Sequence, residues 1–165
     1  MTALTFARLQ DNAENYRTLV QWLARDKLYG EVPLKRVVFV NQWLKSGRLL
    51  VAIADGKLVG ACGWTTLSAD AASKAIKNRA FPTASELSPE GEEVLMSMIA
   101  ASRPGVVARL TRKFFEMHKG RLIIFERHAS RGSSCDRFGW IDRQGRLAGA
   151  AIELTDSAAR DSLTA

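Results

Sequence analysis

The pair Asp55-Gly56 lies between two apolar runs, Arg48 to Ala54 and Leu58 to Trp64. Asp-Gly is favoured where both central residues of a two-residue turn need positive φ, so this stretch predicts a β-hairpin of two buried strands. A hairpin whose strands are apolar on both faces needs cover on both sides. Helices must supply it, and the flanking sequence offers them.

Before the hairpin, Asp11 to Leu28 places Leu19, Trp22 and Leu23 at helical spacing, with Asp11 or Asn12 available as the N-cap. After the break Gly30-Glu31-Val32-Pro33, Pro33 can open a second helix with Val37, Val40, Trp43 and Leu44 as its apolar positions, ending near Gly47. Beyond the hairpin, Ser68 to Lys77 reads as a short helix with Ser68 as cap and Asp70 in its first turn. Phe81 to Gly91 reads as a loop. Glu93 to Ala100 fits a strand or a helix by pattern, and its shortness and the stop Ser102-Arg103-Pro104-Gly105 favour a strand. A helix is expected from Val106 to about His118, with Val107, Leu110, Phe114 and Met117 near one face and Gly120 closing it. Arg121 to His128 and Ser134 to Ile141 complete the strands, and the polar tail from Thr155 is expected to be loose. The sum is an α/β fold, a mixed central sheet flanked by helices, with residues 1–150 as one domain and 151–165 as a tail.

The 165 residues are 47% hydrophobic, enough for one ordinary core. The longest apolar stretches, such as Leu49 to Ala54 and Leu122 to Phe125, fall well short of the roughly 20 residues a membrane helix needs. Met1 to Gln10 lacks the basic start, apolar block and small-residue site of a secretory signal, so the cytoplasm is the expected compartment. Cys62 and Cys135 form neither a metal-ligand spacing nor a disulfide framework. Cys62, inside an apolar run, reads as a small core residue.

Net charge is +7, which attracts acidic partners, nucleic acid or anionic surfaces. From Arg103 to Arg131 there are eight cations, Arg103, Arg109, Arg112, Lys113, Lys119, Arg121, Arg127 and Arg131, against Glu116 and Glu126. Aromatic residues make up 8% and no stacking motif accompanies this region, which argues against nucleic acid.

The local unit with most chemical content is strand Glu93 to Ala100, turn Ser102 to Gly105, and the helix opening at Val106. A helix start presents unpaired amides and a partly positive end, so phosphate or pantetheine oxygens can be held there. Gly105 allows close approach to the backbone, and Arg103, Arg109, Arg112 and Lys113 add charge. The plain alternative is an ordinary strand-to-helix turn.

Three segments in order carry a resemblance. The first is Leu58-Val59-Gly60-Ala61-Cys62-Gly63-Trp64-Thr65-Thr66-Leu67-Ser68-Ala69-Asp70. The second is Met98-Ile99-Ala100-Ala101, followed by Gly105 and the helix ending Arg112-Lys113-Phe114-Phe115. The third is a strand carrying Arg127. In this order and spacing, over roughly residues 23 to 140, the chain resembles the HlyC-like toxin-activating lysine acyltransferases, which have a GNAT-like fold. The resemblance implies transfer of a fatty acyl group from acyl carrier protein, or acyl-CoA in its place, to lysines of a protein such as an RTX toxin. It implies no metal and no tightly bound cofactor. A homodimer is compatible with the residues and is not specified by them.

The family's catalytic histidine and aspartate fall, by position, on Tyr29 and Ser97. Both residue types differ. A tyrosine, with a pKa near about 10, can donate a proton to a leaving thiolate but is a poor base, and a serine without a basic neighbour cannot take a proton from lysine. Ser97 in a strand is also simply a residue that hydrogen-bonds to backbone. Of the two histidines, His118 ends a helix, where a cation is favoured, and His128 ends a strand. Glu92, Glu93 and Asp26 are other acids near these positions, with orientations the sequence leaves open. Two functional readings therefore stand: an acyltransferase with an altered active site, and a non-catalytic descendant that binds acyl carrier protein or another acidic partner.

Overall fold

The computed structural model describes residues 3–25, 34–127 and 137–148. In chain order the elements are β1 (Thr5–Arg8), α1 (Ala13–Leu23), α2 (Leu34–Lys45), β2 (Leu49–Ala54), β3 (Lys57–Leu67), α3 (Ala69–Asn78), β4 (Glu93–Ala101), α4 (Val106–Met117), β5 (Ile123–Arg127), β6 (Arg137–Ile141) and β7 (Leu147–Ala148). A 3-10 turn at Ala84–Glu86 interrupts the expected loop. The hairpin is as expected: Asp55 and Gly56 have φ of 51° and 70°. Glu93–Ala101 is a strand, as its length indicated.

The seven strands form a mixed sheet ordered β1 to β7. The pairs β1–β2, β2–β3, β5–β6 and β6–β7 are antiparallel, whereas β4–β5 is parallel. Parallel neighbours need a crossover, and α4 provides it. Two strands escaped the sequence reading. β1 has four residues at a sheet edge, and β7 has two, too few for a periodic pattern to show. Helix α1 starts at the Asn12 cap, whose side chain accepts the Asn15 N–H at 2.8 Å, and ends at Leu23. The expected continuation from Asp26 to Leu28, the loop with Tyr29 and Pro33, and the residues His128 and Cys135 lie outside the described residues, as does the tail.

The chain packs as two compact units. Of the described residues, one comprises 3–25, 34–64 and 98–117, the other 65–97, 118–127 and 137–148. In the first, Leu19, Leu23, Val40, Trp43 and Leu44 of α1 and α2 close on Leu49, Val51, Ala61, Met98 and Ala100. Residues alternate along β3, so Ala61 and Gly63 meet this side while Gly60 and Trp64 meet α4. A Cβ at Gly63 would lie 2.6 Å from the Trp43 ring, and one at Gly60 would lie 2.7 Å from Val106 and Leu110. Trp64 packs edge-on against Phe114, with ring centroids 5.5 Å apart. Cys62 is fully buried, and burial pushes its thiol pKa well up. The buried face of α4 is Val106, Leu110 and Phe114, at four-residue spacing. Val107, expected there, is 44% exposed.

In the second unit Leu67, Ala72, Ala75, Leu95, Ile124 and Phe138 form the core. Phe81 meets Phe138 edge-on at 5.9 Å. The Ser68 hydroxyl caps α3 by accepting the Ala71 N–H at 3.2 Å. Lys74 reaches from α3 to Glu86 at 2.5 Å, and this contact and the Thr83 N–H hold the Glu86 carboxyl down to about 2.

Gly63→Ala should collide with a ring that is itself walled in, costing about 1–3 kcal/mol as overpacking does. Urea unfolding followed by tryptophan fluorescence will show a lowered midpoint. An unchanged midpoint would mean that the Trp43 ring moves freely off β3.

Candidate functional site

The turn after β4 is fixed at both ends. Ser102 donates its N–H to the Val59 carbonyl at 3.0 Å, tying the strand end to β3. Val106 at the other end is 3% exposed and anchors the first turn of α4 in the core of the first unit. Between them Gly105 has φ +76°, and nothing lies within 4 Å of where its Cβ would be. That conformation favours glycine, and a glycine has no side chain with which to cap the helix. No acidic residue sits in the first turn of α4. The helix start therefore keeps its partial positive charge, with the Val106 N–H donating to the Arg103 carbonyl at 3.4 Å.

Strand pairing adds a second feature. β4 pairs with β5 through Val94↔Ile123, Leu95↔Ile124 and Met96↔Phe125. The pairing described ends there, while β4 continues to Ala101. The segment Met98–Ala101 thus leads to the glycine turn from beyond its parallel pairing.

The five residues expected to contact a ligand separate into three places. Gly105 is at the helix start. Arg103 turns to the hairpin, 3.5 Å from the Asp55 carboxylate. Arg109, Arg112 and Lys113 lie further along α4 and line a groove of about 380 Å³ with Leu4, Phe6 and Glu116. Lys113 is 3.3 Å from Glu116.

Ser97 is half-buried on β4. Its hydroxyl is 3.4 Å from that of Thr65 and donates to the Leu95 carbonyl at 3.3 Å. These are neighbours for a hydrogen-bonding hydroxyl, and neither takes up a proton at neutral pH. Tyr29 lies outside the described residues.

Two residues whose roles the sequence left open are placed in the second unit. Glu93 is 2% exposed. Its carboxylate accepts the Leu122 N–H at 2.8 Å and pairs with the Arg143 guanidinium. It is thereby tied to structure, and the pairing raises the Arg143 pKa. Its partner is remote in sequence and only the β5–β6–β7 meander brings it near, so no local signal marks Glu93. His118 is buried just after α4, with Nδ1 3.5 Å from Arg121 Nη1.

No protein-family model matches the chain, and no curated protein does. Solved structures do. The chain is similar to the loading GNATL domain of CurA from Lyngbya majuscula, with TM-score 0.55 and 10% identity, covering 81% of this chain and 72% of that one. It is also similar to the GphF GNAT-like decarboxylase in complex with isobutyryl-CoA, with TM-score 0.55 and 13% identity, covering 78% and 67%. The fold is GNAT-like. Among the described residues, no helix is long and apolar enough to cross a membrane.

The Glu93–Arg143 pair predicts an asymmetry. Arg143→Ala removes the cation beside a buried carboxylate, leaving it the Leu122 N–H, and should lower stability. Adding Glu93→Gln to Arg143→Ala should restore part of the loss. Urea unfolding of the two variants measures this, and a double variant no more stable than the single one would refute the assignment.

Proposed function

We propose that this chain is an acyl-thioester-dependent acyltransferase whose first unit holds the phosphopantetheine arm of the donor along Met98–Ala101, with the phosphate end at the start of α4. The observation that carries this reading is the coincidence of two features on one segment. β4 runs on to Ala101 past the register it shares with β5, and it leads through an open glycine into the start of α4. An extended arm can lie against this segment, and its phosphate suits the helix amides. The GphF complex with isobutyryl-CoA supports an acyl-CoA donor, and the resemblance in the sequence supports acyl carrier protein. Both present the same arm.

The acceptor we favour is a lysine side chain of a protein, an RTX toxin being the example that the resemblance supplies. The amine attacks the thioester carbonyl, a C–N bond forms, and the C–S bond breaks with the thiolate leaving. The ammonium, with an ordinary pKa of about 10.4, first gives its proton to solvent; once the amide nitrogen has formed, its surplus proton restores the tyrosine that protonated the thiolate. Tyr29 is assigned protonation of the leaving thiolate, and Ser97 a hydrogen bond within the site. Ser97 has a hydroxyl and a carbonyl as its neighbours, and this favours a second reading, in which the chain binds the acylated carrier and performs no transfer.

Gly105→Asp tests the arm site, since it puts a carboxylate where the phosphate is assigned. Aspartate and asparagine both tolerate this backbone region, so Gly105→Asn is the neutral control. We expect Gly105→Asp to weaken binding of an acyl-phosphopantetheine thioester at least tenfold, about 1.4 kcal/mol, and Gly105→Asn to change it little. Equal binding by all three proteins would remove the site. Mass spectrometry of candidate acceptor proteins after incubation with acyl carrier protein thioester decides between the two readings. An acyl mass increment on lysine supports transfer, and binding without any increment leaves the non-catalytic reading.

A further inference from the structure

Three cations of α4 are left over from the arm site. Arg109, Arg112 and Lys113 fall on one face of the helix at spacings of three and four residues, and they line the groove whose other wall is Leu4 and Phe6. Arg109 and Arg112 have no ion-pair partner among the described residues, while Lys113 shares Glu116. Phe6 and Arg8 alternate along β1 and so lie on one side of it, where Arg8 lies over the Trp64 ring at 5.9 Å, and Leu4 immediately precedes the strand. β1 pairs on one side with β2, through Thr5↔Ile53 to Arg8↔Leu50. It stands at the end of the strand order, so among the described residues its other edge carries no strand.

An edge strand with unpaired backbone groups beside a basic, partly apolar groove is a template for an added strand. We infer that this groove docks an extended acidic segment of a partner protein, which adds to the outer edge of β1 and directs its carboxylates at Arg109, Arg112 and Lys113. The dimensions agree. Alternate side chains on a strand recur about every 6.7 Å, and Arg109 and Lys113, one turn apart, are separated by a rise of about 6 Å. The carboxylates at alternate positions would pass Leu4 and Phe6 with their methylene stems, while the intervening side chains face the other side of the sheet. Nucleic acid fits less well, because Glu116 stands in the groove, whose lining holds a single aromatic side chain, Phe6. An anionic membrane fits less well too, since Val107 is the one large apolar residue that α4 exposes.

The probe is a fluorescein-labelled eight-residue peptide of alternating glutamate and valine, read by fluorescence anisotropy with the full chain and no acyl donor present. Its outcome is thus independent of the acyl-thioester reading. Saturable binding is expected. It should weaken at least tenfold in the Arg109→Glu/Arg112→Glu variant, and at least tenfold when alternate amides of the peptide are N-methylated. The same variant should gain binding to the lysine-valine peptide, a result that a misfolded protein would not give. Absence of saturable binding would overturn the inference, as would indifference to the double substitution or to N-methylation. Tighter binding of an oligothymidylate or of phosphatidylglycerol vesicles through the same two arginines would overturn it as well.

Discussion

The close approach of α4 to β3 holds the first unit's functional geometry in place. Gly60 has no side chain, so Val106 and Leu110 can occupy the space a Cβ would need. Phe114 continues the same stripe onto Trp64. Three buried contacts at four-residue spacing fix where the helix starts and which way it points. The Ser102 N–H bonded to Val59 fixes the other end of the turn. An exposed glycine conformation can persist between two anchored ends because it has little freedom left to lose. Binding an arm there would not have to order the backbone first.

The same packing explains why the basic residues divide. With Val106, Leu110 and Phe114 inside, the positions at 109, 112 and 113 must face out. They therefore serve the groove against Leu4 and Phe6, and only Gly105 remains at the helix start. Arg103 is drawn to Asp55 at the hairpin tip. A charge cluster in sequence became three separate local environments.

Much of this was legible in the residues. Asp55-Gly56 announced the hairpin, Ser68 and either Asp11 or Asn12 announced their helices, and the stop at Ser102–Gly105 marked Glu93 to Ala100 as a strand. Such signals are local, since each depends on a turn conformation or a cap within a few residues. What was not legible depends on distant partners. β1 is recognisable only through its pairing with β2, and the role of Glu93 only through Arg143. Val107 was assigned to the wrong side because a stripe at three- and four-residue spacing can be drawn through either of two adjacent valines, and Gly60 decides between them. Of the candidate catalytic pair, Ser97 is placed among hydroxyl and carbonyl neighbours, which its sequence context did not reveal.

The central claim is that Met98–Ala101 and the start of α4 receive a phosphopantetheine thioester. Backbone amide chemical shifts, measured while an octanoyl-phosphopantetheine thioester is added to the isotope-labelled protein, test it most directly. Saturable shifts concentrated between Met98 and Val107, largest at Gly105 and Val106, are expected. Saturable shifts confined to Leu4–Arg8 and the later turns of α4, or no shifts at all, would contradict it.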